Sequence, residues 1–431
     1  MLKYIRDIKM PLSVSLSNIA YIIIILIVLV YLSFTAYLKY KLKFWLTQPV
    51  FHIYNLWYWM HPPGIISRDL PSITSITQKG AANYLNQYNI KTINVEGIED
   101  TILCDQICNF IKTNYIFQSK QAVYTPTKSN ILEYHKGANH PSFFSIYQQP
   151  KILFEKGEAT TTIKELIAVI SARSLNITLK NTPTFPTYYI DNLCVEPVHR
   201  KSGFAPKIIQ TQCYNLRHAN KRIQTCLFKR EGELNALVPL TVFETICFDL
   251  TACNINTKKE GASKTLNGAI IEIGIPQLAL FMDFIKSQIP FFECVVLPDI
   301  TNLMNLIKTE NLFIYALLNP QGQISASYIF RNLNLSYDRG KKAIECINIV
   351  LKKEEDNKQY EVGFNKALFF LKKKKAFDYL LIEETANAKV IVDHLINNIK
   401  ASIKFKSPTA FFLYNYAQRS IPNSALALMV Y

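Results

Sequence analysis

The chain has 431 residues, a formal charge of +16 and 49% apolar residues. That is enough apolar mass for two ordinary domains after a short appendage, and it excludes a disordered or collagen-like chain. The basic balance suits a polyanionic partner, whether a phosphorylated cofactor, an anionic leaflet or nucleic acid, and does not choose among them.

The first element is membranous. Ile19 to Leu38 reads IAYIIIILIVLVYLSFTAYL, without a charge. At about 1.5 Å per residue it crosses a hydrocarbon core of roughly 30 Å. Tyr21, Tyr31 and Tyr37 lie near its ends, where amphipathic rings prefer the interface. A cleavable signal peptide would want a shorter apolar core and a small-residue cleavage site, and a buried core helix of this purity is rare. The reading is a retained single-pass anchor. Lys3, Arg6 and Lys9 on one side balance Lys39, Lys41 and Lys43 on the other, so flanking charge does not orient it.

Beyond the anchor, helix and strand signals alternate. Ile102, Leu103, Ile107, Phe110 and Ile111 give Thr101 to Asn114 a helical apolar face. Glu165 to Asn181 is β-branched and partly alternating, which predicts a strand. Tyr188 to Val195 reads as another strand and Ala205 onward as a helix. Between them lies Arg200-Lys201-Ser202-Gly203-Phe204-Ala205. A small residue in such a turn lets the backbone approach a pyrophosphate, and the free N–H groups opening the helix bind it. The same turn also arises with no ligand. The polar stretch from Leu250 to Thr265 reads as a linker. Leu312 to Leu318, Asn319-Pro320-Gln321-Gly322 and Ile324 to Phe330 form a hairpin signature, followed by apolar runs at 341–350 and 376–383 around a helical 364–375. Nine scattered cysteines form no ligand spacing, so no metal is expected, and buried reduced thiols are the reading.

Three strings together resemble one family. Phe44-Trp45-Leu46-Thr47-Gln48-Pro49-Val50 is similar to the F-W-x-T-Q-P-V opening of the N-myristoyltransferases. Asp191-Asn192-Leu193-Cys194-Val195, with the turn and Ala205-Pro206, resembles their acyl-CoA strand, loop and helix. Phe412-Leu413-Tyr414-Asn415-Tyr416 resembles their Y-L-Y-N-W, ahead of an apolar tail ending at Tyr431. The resemblance covers about 43–431.

It implies a mixed α/β fold: two fused halves of the GNAT (acyl-CoA transferase) type behind one transmembrane helix. The expected division is 1–42 for arm and anchor, 43–255 for the acyl-CoA half and 256–431 for the peptide half. The implied function is transfer of a fatty acyl group, myristoyl by default, from acyl-CoA as co-substrate to the N-terminal glycine amine of a protein or peptide. No tightly bound cofactor and no nucleic acid are expected. Cytosolic CoA would place a membrane-tethered body on the cytosolic side.

The residues implied for the acyl-CoA are Phe44, Trp45, Val195, Arg200, Lys201, Ser202, Gly203, Phe204 and Ala205. The backbone N–H groups of Asn192 and Leu193 would form the oxyanion hole, and the α-carboxylate of Tyr431 would be the general base. Glu384, Tyr414 and Asn415 would meet the acceptor. The sequence departs from the family at Leu227–Gly232, where a threonine is missing, and at Phe243–Thr245, where a histidine is missing. These departures leave open a lapsed homologue that serves as a membrane-anchored binding protein.

Overall fold

The computed structural model describes residues 16–78, 80–98, 101–116, 122–153, 161–232, 237–253, 266–338, 340–352 and 357–428. The chain divides into two compact units, 1–48 and 49–431. In the first, helix α1 (Leu16–Lys41) contains the span Asn18–Leu38, of mean hydropathy 2.7, long and apolar enough to cross a membrane. Its side chains from Ile19 to Phe34 are exposed.

The second unit is mixed α/β. Among the described residues its main sheet has fifteen strands. Helix α2 (Thr101–Asn114) buries Cys104, Ile107, Cys108 and Ile111, so this pair of cysteines packs in an apolar cluster. Strands β1 (Phe143–Leu153), β2 (Thr161–Leu179) and β3 (Phe185–Val195) form an antiparallel run. Helix α3 (Phe204–Ala219) then crosses over, and β4 (Cys226–Glu231) lies parallel to β3. Next come β5 (Thr241–Asp249) and β6 (Cys294–Leu297).

The same order of connections recurs later. Strands β7 (Leu312–Leu318), β8 (Ile324–Tyr337) and β9 (Lys341–Leu351) are antiparallel. Helix α4 (Asn357–Lys374) crosses over, and β10 (Tyr379–Glu383) lies parallel to β9. The final strands are β11 (Ser402–Tyr414) and β12 (Leu426–Leu428).

At the middle of the sheet the two runs trade a strand. β11 pairs with β4, while β5, which follows β4 in the chain, pairs with β10; β5 and β11 also pair with each other. The sheet therefore reads β12-β6-β2-β3-β4-β11-β5-β10-β9-β8-β7, closed by Ala269–Glu272. Most of the linker expected at 250–265 lies outside the described residues. The helical reading of 364–375 is a longer helix that begins at Asn357, because the apolar face extends back to Tyr360.

Candidate active site

Two irregularities in β3 create the site. In the β2–β3 ladder Val169 faces Cys194 and Ser171 faces Asp191, so Ile170 alone opposes both Asn192 and Leu193. This is a β-bulge, and it bends the strand. Asn192 has φ 52°, a left-handed conformation that asparagine tolerates better than other side chains, and its amide donates to Ser171 Oγ at 2.9 Å. The second irregularity is a parting of strands. β3 pairs with β4 only from Tyr188 to Ile190. From Asp191 onward β3 keeps β2 on one side and bares its other backbone edge.

The turn after β3 leads into α3. Gly203 has φ 81° and ψ 9°, and a Cβ there would meet no protein atom within 4 Å. Lys201 is also left-handed, at φ 64°. Arg200 straps the turn down, donating from Nε to Val195 O at 3.1 Å and from Nη2 to Asn114 O at 3.2 Å. Phe204 packs edge-on against Tyr147, with centroids 4.9 Å apart.

Beside the bulge is a cavity of about 510 Å³, floored by β2, β3, β4, β8 and β9. Its lining is charged. Arg331 donates from Nε to Glu345 Oε2 at 2.9 Å, and Lys229 Nζ lies 2.6 Å from Glu383 and 3.1 Å from Glu231. Burial pushes the Glu345 carboxyl up, but Arg331 and Lys229 outweigh it and hold it below the usual range. Burial wins at Glu383 and pushes it up, against the pull of Lys229. Asp191 Oδ1 accepts from the Tyr115 hydroxyl at 2.5 Å and from the backbone N–H of Asn192 at 2.7 Å. Arg173 sits between the rings of Tyr134 and Tyr189, at 5.0 and 5.3 Å. His135 is buried alongside; burial, with Arg173 adding repulsion, pushes its pKa down to about 3.

No protein-family model matches the chain, and no curated protein matches it. Solved structures do match. A crystal structure of Saccharomyces cerevisiae N-myristoyltransferase with bound myristoyl-CoA has a TM-score of 0.63 at 14% identity, covering 89% of this chain and 94% of that one. A second, of the same enzyme with bound myristoyl-CoA and inhibitors, has a TM-score of 0.64 at 13% identity, covering 88% and 91%. The chain has the N-myristoyltransferase fold.

Within this fold the residues expected from sequence fall into separate groups. Asn192, Leu193, Val195, Arg200, Lys201, Ser202, Gly203, Phe204 and Ala205 form one continuous strand, turn and helix start. Phe44 and Trp45 lie in the other unit, their rings edge-to-face at 5.2 Å. Tyr414 is buried beside Cys213 and Cys226. Asn415 is spent as a staple: it accepts from Ser67 N at 2.8 Å and donates to Ser67 O and Gln224 O at 2.8 and 2.9 Å. Glu384 is half-buried, raised by burial and by Glu244, and its carbonyl accepts from Asn423. Glu384, Tyr414 and Asn415 are not among the cavity's lining residues. Tyr431 lies outside the described residues.

The tail ahead of it is ordered into the fold. Asn423 bridges to Glu384 O and Ala386 N past the end of β10, and Leu428 O accepts from Asn348 of β9 at 2.7 Å. Leu426, Ala427 and Leu428 are fully buried. The reading of an apolar tail tucked into the body holds as far as Leu428.

Sequence reasoning missed the charged lining. Arg173 was legible only as a cation inside a β-branched run, and Lys229 only as a departure from the family string.

Proposed function

We propose that the chain is a membrane-tethered acyltransferase that moves a fatty acyl group, myristoyl by default, from CoA to the N-terminal glycine amine of a protein or peptide. One observation carries this reading: the bulge at Asn192–Leu193, on a strand that parts from its neighbour, leads directly into a left-handed Gly203 opening a helix. A thioester laid along the bared edge of β3 would put its carbonyl at the bulge and its phosphates at the start of α3, where N–H groups and the helix dipole favour anions. The likeness to an enzyme solved with myristoyl-CoA supports the same use.

In the transfer, the amine nitrogen attacks the thioester carbon and the C–S bond breaks. The amine proton goes to a base, and CoA leaves as a thiolate. Donors aimed at the developing oxyanion supply several kcal/mol. The base in this reading is the α-carboxylate of Tyr431. α1 would hold the body against the cytosolic face of a membrane, where CoA is available.

One observation favours the lapsed reading. The N–H of Asn192 is already donated to the Asp191 carboxylate, an anion in the place of the oxyanion. An active enzyme must rotate that carboxylate away when the thioester arrives. The test is transfer of radiolabelled myristate from CoA to a glycine-headed peptide by the detergent-solubilised full chain, with Asp191→Ala beside it. Transfer by the parent establishes the enzyme. Binding of myristoyl-CoA with no transfer by either protein leaves a binding protein. No binding of myristoyl-CoA removes both.

A further inference from the structure

The cavity beside the bulge holds a cation whose terminal nitrogens have no hydrogen-bond acceptor among the described residues. Arg173 is 2% exposed, and neither Nη1 nor Nη2 finds an acceptor among the described residues, although both are buried. The rings of Tyr134 and Tyr189 offer their faces to the guanidinium, but a guanidinium has five N–H donors in its own plane. Leaving such a group unsaturated in the interior is among the more expensive things a fold can do.

The other cations of the cavity are spent. Arg331 has Glu345 opposite it across the β8–β9 ladder, and Lys229 has Glu383 and Glu231. Arg173 has Tyr189 opposite it across the β2–β3 ladder, so no carboxylate faces it there. The neighbouring imidazole of His135 offers no negative charge either. Asp191 is the anion whose charge acts most on Arg173, but it is not hydrogen-bonded to it: among the described residues the Asp191 carboxylate, at the edge of the bulge on β3, accepts from a hydroxyl and an N–H.

We propose that the acceptor for this site is an amine that carries a carboxylate close by: Arg173 takes the carboxylate, and Asp191 meets the amine at the bulge. The guanidinium fork binds a carboxylate through two parallel N–H···O bonds, which fixes both distance and orientation. The acceptor is then held with its nitrogen at the break in β3, where the acyl carbon is placed under the function proposed above, on which this inference rests. A glycine-headed peptide with a glutamate or aspartate near its start has this chemistry. A free amino acid, whose carboxylate is its own, has it too.

The experiment measures binding, so it does not need turnover. The full chain in detergent is loaded with a non-hydrolysable thioether analogue of myristoyl-CoA. Fluorescent glycine-headed octapeptides, with a single glutamate walked through positions two to five, are titrated against their glutamine counterparts. Free glycine and free glutamate are run as competitors. Expected is at least about tenfold tighter binding for one glutamate peptide than for its glutamine isostere, because a buried donor set left unpaired discriminates strongly. Arg173→Met and Arg173→Gln should erase that preference while still binding the analogue. Competition by the free amino acids with no peptide bound would assign the small-molecule source. Equal binding of the paired peptides without such competition, a preference that survives in both variants, or no binding of any probe overturns the proposal. The same peptides in the transfer assay separate the two claims. Transfer with no acidic preference removes this inference and keeps the function. Acidic preference without transfer keeps Arg173 as a carboxylate-binding site and removes the acyl transfer.

Discussion

At Gly203 the protein is silent and a ligand would speak. Its left-handed backbone resists a side chain, but the space around it is empty of protein. Gly203→Val should therefore cost about 1–2 kcal/mol of backbone strain and leave the body folded. Under the proposed function it should abolish myristoyl-CoA binding by calorimetry; unchanged binding would place the cofactor elsewhere. His135 makes a different prediction. Its pKa lies at about 3 in the fold against 6.5 unfolded, so between those values the unfolded chain holds a proton that the folded one refuses. Stability then falls as pH drops through 6.5 toward 3. The loss from pH 7 to pH 5 is about 2 kcal/mol, from 1.36 kcal/mol per unit. His135→Phe, which keeps a ring beside Phe144, should flatten that slope in urea titrations at the two pH values.

The next scale is the strand. The bulge of β3 depends on one residue tolerating φ 52° and tying itself to Ser171. Asn192→Gly should keep the bulge and lose only the tie, about 1 kcal/mol. Asn192→Val adds a β-branched residue in a left-handed position and should lose about 2 kcal/mol or more, with transfer gone. Thermal melts and the transfer assay read the two effects; a valine variant as active as the parent would mean that the bulge does not build the oxyanion site. The end of the chain gives a second element-scale test. Two residues added after Tyr431 move the carboxylate by several ångströms, at about 3.3 Å each, and should slow transfer by roughly 10²–10⁴ while leaving myristoyl-CoA binding intact. Unslowed transfer by the extended chain would exclude the terminal carboxylate as base.

How much of this could be read in advance also depends on the element. Thr101–Asn114 was legible to the residue, because its apolar positions fall at helical spacing and nothing distant competes. The strand through Arg173 and the Gly203 turn were legible for the same local reason. The bulge was not, since it exists only in the register between β2 and β3. The charged cavity was not either. Arg173, Lys229, Arg331, Glu345 and Glu383 stand on five strands, and no short window contains more than two of them.

At the scale of the molecule, α1 and the body are separate units, so deleting residues 1–42 should leave the body folded and soluble while releasing it from membranes. Flotation of the two forms with liposomes checks this, and a truncated chain that still floats would point to a second membrane contact. Orientation is best tested by protease protection. The N-x-T sequence Asn176-Ile177-Thr178, a glycosylation acceptor pattern, is a poor reporter of it, because in the fold the Asn176 side chain lies within β2 and donates to Asp299 at 3.0 Å.

The traded strands have a consequence for biosynthesis. The run that begins the sheet ends at β4, and the strand on the far edge of β4 is β11, residues 402–414. β5, made much earlier, must wait for β10 and β11 before either of its edges is paired. On the ribosome the leading part of the body therefore stays unfinished until almost the whole sheet has been synthesised, with open strand edges that invite chaperones or aggregation. A fragment such as 43–255 should remain protease-sensitive when made alone and gain protection only when 256–431 is supplied beside it.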